Sequence, residues 1–385
     1  MSVLQHTDSF LRRTWAEIDL SALKENYNNI RNVASPAAKV MAVVKADAYG
    51  HSVIPCATAL EESGADWFAV SNVLEALELR RGGISRPILI LGYTPVTHTA
   101  ALAVNNISQA VFSLDYAREL SQEASRLGVQ VSVHIKVDTG MSRIGFVYHD
   151  SIADSGAIDE IIEASRLEGL YPEGIFTHFA RADEISGEVY TRLQFDLFMD
   201  AIARLEKQGV SFELRHCSNS AACLDYPEMH LDMVRPGIIL YGLYPSDEVR
   251  NKIKLSPVMT VKSVVAQIKE LETDTPISYG GTHVTAEPTR VATIPIGYAD
   301  GYSRRLSNVG KMAVNGQSAK IVGRVCMDQT VIDVSDISGI KPGDEVIVFG
   351  KKPAMTTDDV AKTLGTINYE IVCDVGKRVQ RVIVK

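Results

Sequence analysis

A repeating alternation of short apolar runs and amphipathic segments extends from about residue 20 to residue 245. Apolar runs bounded by turn residues are typical of buried strands, whereas apolar residues spaced three and four apart are typical of helices. Parallel strands need long crossover connections, which are usually helical. The rhythm therefore predicts consecutive strand–helix units that build a parallel sheet covered by helices.

Eight of the apolar runs are candidate strands. They comprise residues 39–45, 67–70, 87–91, 110–112, 131–137, 174–179, 213–218 and 233–242. Eight strands with seven intervening helical segments favour an α/β fold of the (β/α)8 TIM-barrel type over an open doubly wound sheet. We therefore predict a barrel over residues 20–245, with polar residues at the carboxyl ends of its strands sharing one mouth.

After about residue 250 the pattern changes to alternating segments rich in β-branched residues. This pattern predicts a mostly β C-terminal domain over residues 250–385, with one helix in the segment 359–372. Residues 1–19 form a predicted N-terminal segment with a strand in RTWAEIDL (13–20), which could pair with either domain. We thus expect an α/β barrel followed by a smaller β domain.

Composition excludes several classes of function. The chain has 39 Lys and Arg against 47 Asp and Glu, and this net charge of −8 argues against a nucleic-acid binder. Its apolar runs are far shorter than the roughly 20 residues that a membrane-spanning helix needs. Five cysteines without CxxC spacing, and an N-terminus without the apolar core of a signal peptide, indicate reduced thiols and a cytoplasmic protein. No metal site is expected.

Lys45 ends an apolar strand and is followed by the sequence ADAYGH. Burying an ammonium group without a partner is costly, so this lysine needs an explanation. It is either an ordinary surface lysine just beyond the strand or an amine of depressed pKa that reacts with a carbonyl group.

Polar residues also alternate along the strand VSVHIKVD. His134, Lys136 and Asp138 share one face of it, and Arg143 follows in a turn bracketed by glycines. The pattern indicates either a structural ion-pair cluster or a set of groups that faces an anionic cofactor or substrate.

Histidines and small polar residues end the next strands. His178 and His216 stand at strand ends, and the segments SNS (218–220) and RPGIILYG (235–242) offer hydroxyls and backbone N–H groups. Barrels commonly bind phosphate near their seventh and eighth strands. A cofactor with an aldehyde and a phosphate, such as pyridoxal phosphate, would use both Lys45 and this region. A metal-dependent hydrolase with a carbamylated lysine is an alternative, but it lacks an HxH pair on the first strand.

An ordered set of motifs runs through nearly the whole chain. It comprises AVVKADAYGH, HIKVDTGMSRIG, THFA, NSAA, MVRPGIILYG, SYGGT, IPIGYADGY, GRVCMDQ and INYE. In this order the motifs resemble those of the bacterial alanine racemase family, whose members are barrel enzymes that use pyridoxal 5′-phosphate. One departure is Ser52, which stands where the family usually has a glycine after AYGH.

The resemblance implies roles for individual residues. Lys45 matches the lysine that holds the cofactor covalently, and Tyr279 matches the second acid–base group, which the partner subunit contributes. Two groups suit racemisation, because a proton must leave one face of the α-carbon and return to the other. His178 and Arg235 match polar residues that neighbour these two groups in the family. Arg235 also matches the residue that faces the pyridine nitrogen.

Further positions are carried over by the same resemblance. The residues matching cofactor contacts are Lys45, Tyr49, Arg143, His178, Ser220, Arg235, Gly237, Ile238 and Tyr369. Arg143 and Met327 match substrate contacts, and Asp328 matches a supporting residue near the substrate. Lys136 matches a lysine often found as a carbamate, and Tyr298 matches a residue lining the mouth of the active site.

The resemblance implies a homodimeric racemase that interconverts L- and D-alanine and supplies D-alanine for peptidoglycan. A serine-preferring or broad-specificity racemase is the nearest alternative, followed by a basic-amino-acid decarboxylase of similar architecture. A non-catalytic carrier of pyridoxal phosphate is a further alternative, although such carriers consist of a barrel alone.

Overall fold

The computed structural model describes residues 11–384, which fall into two compact units. The barrel unit comprises residues 23–48 and 53–256, and the β unit comprises the described residues 11–22, 49–52 and 257–384. The part of the predicted N-terminal segment before residue 11 lies outside the described residues.

The barrel unit contains a ring of eight parallel strands in sequence order. They are β2 (Lys39–Val43), β3 (Trp67–Val70), β4 (Ile88–Ile90), β5 (Ile107–Val111), β6 (Val131–Asp138), β8 (Leu170–Phe176), β9 (Leu214–His216) and β10 (Met233–Val234). The strands β1 (Thr14–Asp19), which precedes this ring in the chain, and the short β7 (Phe146–Val147), which pairs with β6, are not part of it. The ring is completed where the backbone N–H of Arg235 donates to the carbonyl of Ser218 at 2.9 Å. The predicted eight-stranded barrel is therefore confirmed.

Helices alternate with these strands. They are α1 (Leu20–Val33), α2 (Lys45–Gly50), α3 (Val53–Glu62), α4 (Val73–Arg81), α5 (Thr99–Val104), α6 (Leu114–Leu127), α7 (Gly156–Ser165), α8 (Glu188–Lys207) and α9 (Ser220–Asp225). Local sequence fixes several ends: the Ser113 hydroxyl accepts from the N–H of Tyr116 at the start of α6, and Gly128 ends it at φ +66°. Within residues 11–384, no helix combines the length and the apolar character needed to cross a bilayer.

The strands of the barrel carry its core. Every residue of β3, β4 and β5 is buried, as expected for parallel strands covered on both faces. Seven of the eight strands differ from their predicted bounds, and β8 and β10 differ most. β8 begins four residues earlier, at Leu170, despite its Pro172 and Gly174, and β10 ends at Val234 because Pro236 has no N–H to donate to a neighbouring strand.

The segment α2, which follows β2, is a left-handed turn and not a right-handed helix. Residues Ala46 to Tyr49 have φ between +53° and +55°, and Gly50 and Ser52 continue in the same region at +79° and +74°. Residues with a Cβ pay about 1–2 kcal/mol each in this conformation and rarely adopt it consecutively. Surrounding structure must therefore hold this turn, which begins at Lys45, in place.

Replacing Ser52 by glycine is expected to raise the free energy of unfolding by about 0.5–1 kcal/mol, because glycine removes the left-handed penalty and only part of this gain is lost to unfolded-state entropy. Ser125, exposed in the right-handed helix α6, is a matched control whose replacement by glycine should destabilise the protein. Urea unfolding of both variants measures the difference. A loss of stability in Ser52→Gly would contradict the inference that Ser52 is strained in the left-handed conformation.

The β unit is built from mixed and antiparallel sheets. Its strands are β1, β11 (Met259–Val264), β12 (Gln267–Leu271), β13 (Pro276–Ile277), β14 (His283–Val284), β15 (Thr289–Ile294), β16 (Lys311–Val314), β17 (Gln317–Lys320), β18 (Thr330–Asp333), β19 (Glu345–Phe349) and β20 (Gln380–Val384). One sheet has the order β17-β16-β19-β11-β1-β20, and a second has the order β12-β15-β18. The predicted N-terminal strand thus pairs with the β unit, antiparallel to β11 and parallel to β20.

The segment predicted as one helix forms two. α10 (Thr357–Leu364) begins at a capping box between Thr356 and Asp359 and ends at Gly365, which has φ +70°. α11 (Asn368–Cys373) follows the end of α10 after three intervening residues. The left-handed glycine breaks the segment, because it reverses the direction of the chain at the end of α10.

Candidate active site

Arg235 lies inside the barrel, directly after β10, and is 4% exposed. Its guanidinium donates to the carbonyls of Thr177 at 2.8 Å and Cys217 at 3.0 Å, and to Nδ1 of His216 at 2.9 Å. Burial lowers the pKa of Arg235 to about 10, which still leaves it protonated at neutral pH. Its position is therefore fixed by hydrogen bonds to two neighbouring segments, at the ends of β8 and β9.

Lys136 is a second buried cationic residue, 2% exposed on β6. Its Nζ donates to the carbonyl of Val137 at 2.8 Å and lies 5.6 Å from the centre of the Phe176 ring. Burial, opposed by Asp138 and reinforced by Arg235, lowers the pKa of Lys136 to about 7. This amine is therefore neutral in a large fraction of molecules near pH 7.

His178 lies near several cationic side chains of the barrel unit, whose charges act on its pKa. Burial and then the charge of Arg235 hold the pKa of His178 well below its ordinary value, so its ring is neutral. The cationic side chains that contribute to this shift are Arg235, Arg143, Lys136 and Lys45. Four of the predicted site residues are thus brought together around a fifth.

The loop after β6 positions Arg143. Asp138 accepts from the backbone N–H groups of Gly140 and Ser142, both at 3.0 Å. These hydrogen bonds, with one from His149, hold the pKa of Asp138 below its ordinary value although burial opposes them. The carboxylate therefore folds the turn that precedes Arg143.

The region that the sequence predicts to bind phosphate is formed by residues that follow β9 and residues that follow β10. Ser220 begins α9 and is 5% exposed, and its hydroxyl accepts from the backbone N–H of Gly237 at 2.9 Å. Ile238, fully buried, begins the helical turn Ile238–Tyr241. These three predicted residues are thus neighbours.

Two predicted tyrosines meet within the β unit. The rings of Tyr49 and Tyr369 have centroids 6.0 Å apart and are tilted by 50°. Tyr49 is 7% exposed, and burial raises its pKa, so its hydroxyl stays protonated.

Tyr279, Tyr298 and Met327 are exposed on the β unit, with 71%, 43% and 53% of their surfaces accessible. Hydrogen bonds join the segments that carry them. The Ser278 hydroxyl donates to the carbonyl of Arg324 at 2.6 Å, and the N–H of Tyr298 donates to the carbonyl of Cys326 at 3.0 Å. The β unit therefore displays these predicted residues on neighbouring loops.

Asp300 was missed by sequence reasoning, although it belongs to the GYADGY motif. Its buried carboxylate accepts from Arg13 at 3.0 Å and from Arg378 at 2.8 Å, and Arg378 also donates to Asp328 at 2.5 Å. Asp300 also accepts from the N–H of Gly297 at 2.9 Å. It thereby ties the loop of Tyr298 to the loop of Met327 and Asp328.

The strand-end histidines do not form a metal-ligand set. Nδ1 of His134 lies 2.9 Å from Nε2 of His216, and His216 bonds to Arg235. Among residues 11–384, no group of three or more His, Cys, Asp or Glu side chains is placed to hold a metal ion.

Comparison with known proteins identifies the family. The profile described as "Alanine racemase, N-terminal domain" matches residues 18–245, and that for the C-terminal domain matches residues 258–383. The chain belongs to the alanine racemase family. The alanine racemase of Desulforamulus reducens is 48% identical over 96% of this chain and 98% of its own length.

Solved structures of family members agree with the fold. The alanine racemase of Clostridium difficile 630 has a TM-score of 0.92 and 44% identity, covering 97% of this chain and 96% of that one. A structure of that racemase in complex with cycloserine has a TM-score of 0.90 and 42% identity, covering 98% and 96%. The predicted resemblance to this family is therefore confirmed.

The alanine racemase family consists of isomerases that depend on pyridoxal 5′-phosphate. The barrel unit fits such a cofactor. The cationic residues around His178 suit a ligand that carries phosphate and carboxylate charge, and the Ser220–Gly237 contact adds a hydroxyl and an amide. Lys45 lies at the start of the left-handed turn, and its amine is a group of the kind that would react with an aldehyde.

Proposed function

We propose that this chain is a pyridoxal-phosphate-dependent racemase that interconverts L- and D-alanine. The observation that carries the proposal is the cluster of Lys45, Lys136, Arg143 and Arg235 around His178 in the barrel of a chain from this family. When bound, the cofactor supplies an aldehyde for the amine and a ring that withdraws electrons from the α-carbon.

Lys45 and Tyr279 are proposed as the two acid–base groups. Racemisation removes the α-proton from one face of the amino acid and delivers a proton to the other, so each group serves one enantiomer. The Lys45 amine would hold the cofactor and would take or give the proton on its face of the substrate. The Tyr279 hydroxyl does the same on the opposite face.

Arg235 is proposed to face the nitrogen of the cofactor ring. A guanidinium group has no acceptor, so it can only donate, and the ring nitrogen it meets must be unprotonated. A neutral ring withdraws electrons more weakly than a protonated one. Arg235 therefore favours rapid return of the proton to the α-carbon over transamination or decarboxylation.

The remaining residues are proposed to hold the cofactor and the substrate. Arg143 and the backbone N–H of Met327 bind the substrate carboxylate, with Asp328 supporting the loop of Met327 and Tyr298 lining the mouth. The residues proposed at the phosphate are Tyr49, Ser220, Gly237, Ile238 and Tyr369.

We propose that the enzyme is a homodimer with shared active sites. In this arrangement residues 20–245 bind the cofactor, and residues 250–385 supply Tyr279, Met327 and Asp328 to the second subunit. The high exposure of Tyr279 and Met327 supports this proposal, because an acid–base group needs an enclosed surrounding that only a second chain would add.

Lys136 is proposed to be carbamylated. A carbamate forms when a neutral amine adds to carbon dioxide, and the pKa of about 7 makes that amine available. The product is an anion that accepts a hydrogen bond from Arg143 instead of repelling it. Since the neutral fraction of Lys136 grows as pH rises through 7, carbamate occupancy should increase from pH 6 to pH 8.

Carbon-13 NMR of the protein under ¹³C-labelled carbon dioxide tests this prediction. A carbamate signal that grows with pH and disappears in Lys136→Arg is expected, whereas Lys39→Arg, at the exposed start of β2, should retain it. The same signal in Lys136→Arg would show that another amine carries the carbamate.

The racemase function is tested by measuring D-alanine formed from L-alanine by the purified protein loaded with pyridoxal phosphate. We expect visible absorbance from the bound cofactor and turnover of alanine in both directions. Faster turnover of serine would indicate the broad-specificity alternative, and release of carbon dioxide from lysine or ornithine would indicate a decarboxylase.

We also propose that the D-alanine formed supplies peptidoglycan and that the enzyme acts in the cytoplasm. The odd number of scattered cysteines supports the second part, because it is typical of proteins in a reducing compartment.

A further inference from the structure

A chain of hydrogen bonds runs through the interior of the barrel unit from Arg235 to Glu173. Arg235 contacts Nδ1 of His216 at 2.9 Å, Nε2 of His216 contacts Nδ1 of His134 at 2.9 Å, and Nε2 of His134 contacts Oε2 of Glu173 at 3.3 Å. Both histidines are fully buried, whereas the Glu173 side chain is 20% exposed. We refer to these four residues as the Arg235–Glu173 chain.

The two ends of this chain determine where its protons lie. A guanidinium only donates hydrogen bonds and a carboxylate only accepts them. Nδ1 of His216 must therefore accept, so the proton of that ring is on Nε2 and points at His134. Nδ1 of His134 accepts in turn, which leaves its proton on Nε2, directed at Glu173. Both rings thus take the Nε2–H tautomer.

The charges agree with this assignment. Burial, followed by the charge of Arg235, holds the pKa of His216 well below its ordinary value. Burial also lowers the pKa of His134, although Glu173 acts in the opposite direction. Hydrogen bonds from His134 and Ser108 keep the pKa of Glu173 below its ordinary value although burial opposes them. Two neutral rings therefore connect a cation to an anion, and all their hydrogen bonds point the same way.

The backbone of β8 leaves room for the side chains of the Arg235–Glu173 chain. Val133 pairs with Pro172 and His134 pairs with Gly174, so Glu173 is an extra residue in a bulge of β8. Such bulges redirect side chains. A Cβ on Gly174 would lie 2.4 Å from Nδ1 of His134, so the ring occupies space that only glycine leaves open.

We propose that Glu173 is a positioning residue for Arg235 and acts through His134 and His216. By accepting the last hydrogen bond it stabilises the Nε2–H tautomer of both rings that Arg235 requires at the other end, which keeps Nδ1 of His216 as an acceptor and holds the guanidinium in one orientation. The role of that orientation rests on the proposed function, in which Arg235 meets the cofactor ring. The tautomers themselves do not depend on it.

The tautomers are measured by long-range ¹⁵N–¹H NMR of the full-length holoenzyme labelled with ¹⁵N-histidine, with His134→Gln and His216→Gln variants used to assign the signals. We expect both rings to be neutral Nε2–H tautomers at pH 7. An Nδ1–H or doubly protonated ring at either position in the wild-type protein would overturn the inference.

Two substitutions test the role of Glu173 in catalysis. Glu173→Gln keeps an acceptor and should retain both tautomers and most of the activity. Glu173→Leu removes it, and should give mixed tautomers at His134, shift the visible absorbance of the bound cofactor and lower kcat about tenfold, with KM for alanine changed by less than about twofold. Glu168→Gln, exposed just before β8, is the control and should change none of these.

The outcomes separate this inference from the proposed function. Unchanged tautomers, absorbance and kcat in Glu173→Leu would overturn the positioning role. If that variant fails to fold, the tautomers of the wild-type protein still test the inference. The expected tautomers in a protein that does not racemise alanine would overturn the proposed function alone. Reversed tautomers in an active racemase would overturn only the role of Glu173.

Discussion

Replacing Lys45 by alanine is expected to lower the rate of alanine racemisation by about 10⁴-fold or more. The substitution removes the amine that we propose binds the cofactor covalently and acts as acid–base group on one face of the substrate, and each contribution is large. Steady-state assays in both directions measure the loss. Lys39→Ala, at the opposite end of β2, is the matched control and should retain normal activity.

Chemical labelling tests the same assignment without relying on activity. Borohydride reduction of the holoenzyme followed by peptide mapping should place the reduced cofactor on Lys45. A label on Lys136 or another lysine would show that the covalent site is elsewhere, even if Lys45→Ala were inactive.

Replacing Tyr279 by phenylalanine is expected to lower turnover by about 10²–10⁴-fold in both directions while the bound cofactor keeps its absorbance. The variant lacks only the hydroxyl that we propose serves one face, and racemisation in either direction needs both faces. Tyr93→Phe removes a hydroxyl from an exposed tyrosine of the barrel unit and should have little effect. Near-normal turnover in Tyr279→Phe would refute a two-base scheme that uses this residue.

Mixing the two inactive variants tests whether the sites are shared between subunits. In the proposed shared-site dimer, one Lys45→Ala chain and one Tyr279→Phe chain together give one site with both groups and one with neither. After complete exchange of subunits, about one quarter of wild-type activity should return, because half the dimers are mixed and half of their sites are intact. Differently tagged chains establish that exchange has occurred. No recovery after proven exchange, or full activity in a monomer, would contradict the shared site.

Local sequence determined much of the architecture. The eight barrel strands and the intervening helices follow from hydrophobic periodicity and from caps such as Ser113 and Gly128, which involve residues close together in the chain. The alternating pattern of β-branched residues after residue 250 likewise predicted the β-sheets found there. Lys45 stood out because an ammonium group at the end of an apolar strand needs a physical reason.

Only the tertiary structure decided features that depend on distant residues. Local preference for Ala46 to Tyr49 favours right-handed dihedrals, and packing from elsewhere must hold the left-handed turn. His134 and His216 are 82 residues apart, and Arg13 meets Asp300 across 287 residues. No local pattern encodes such pairs. Their hydrogen bonds form because the barrel and the β unit each bring separate strands together and remove their polar groups from water, where only a partner can satisfy them.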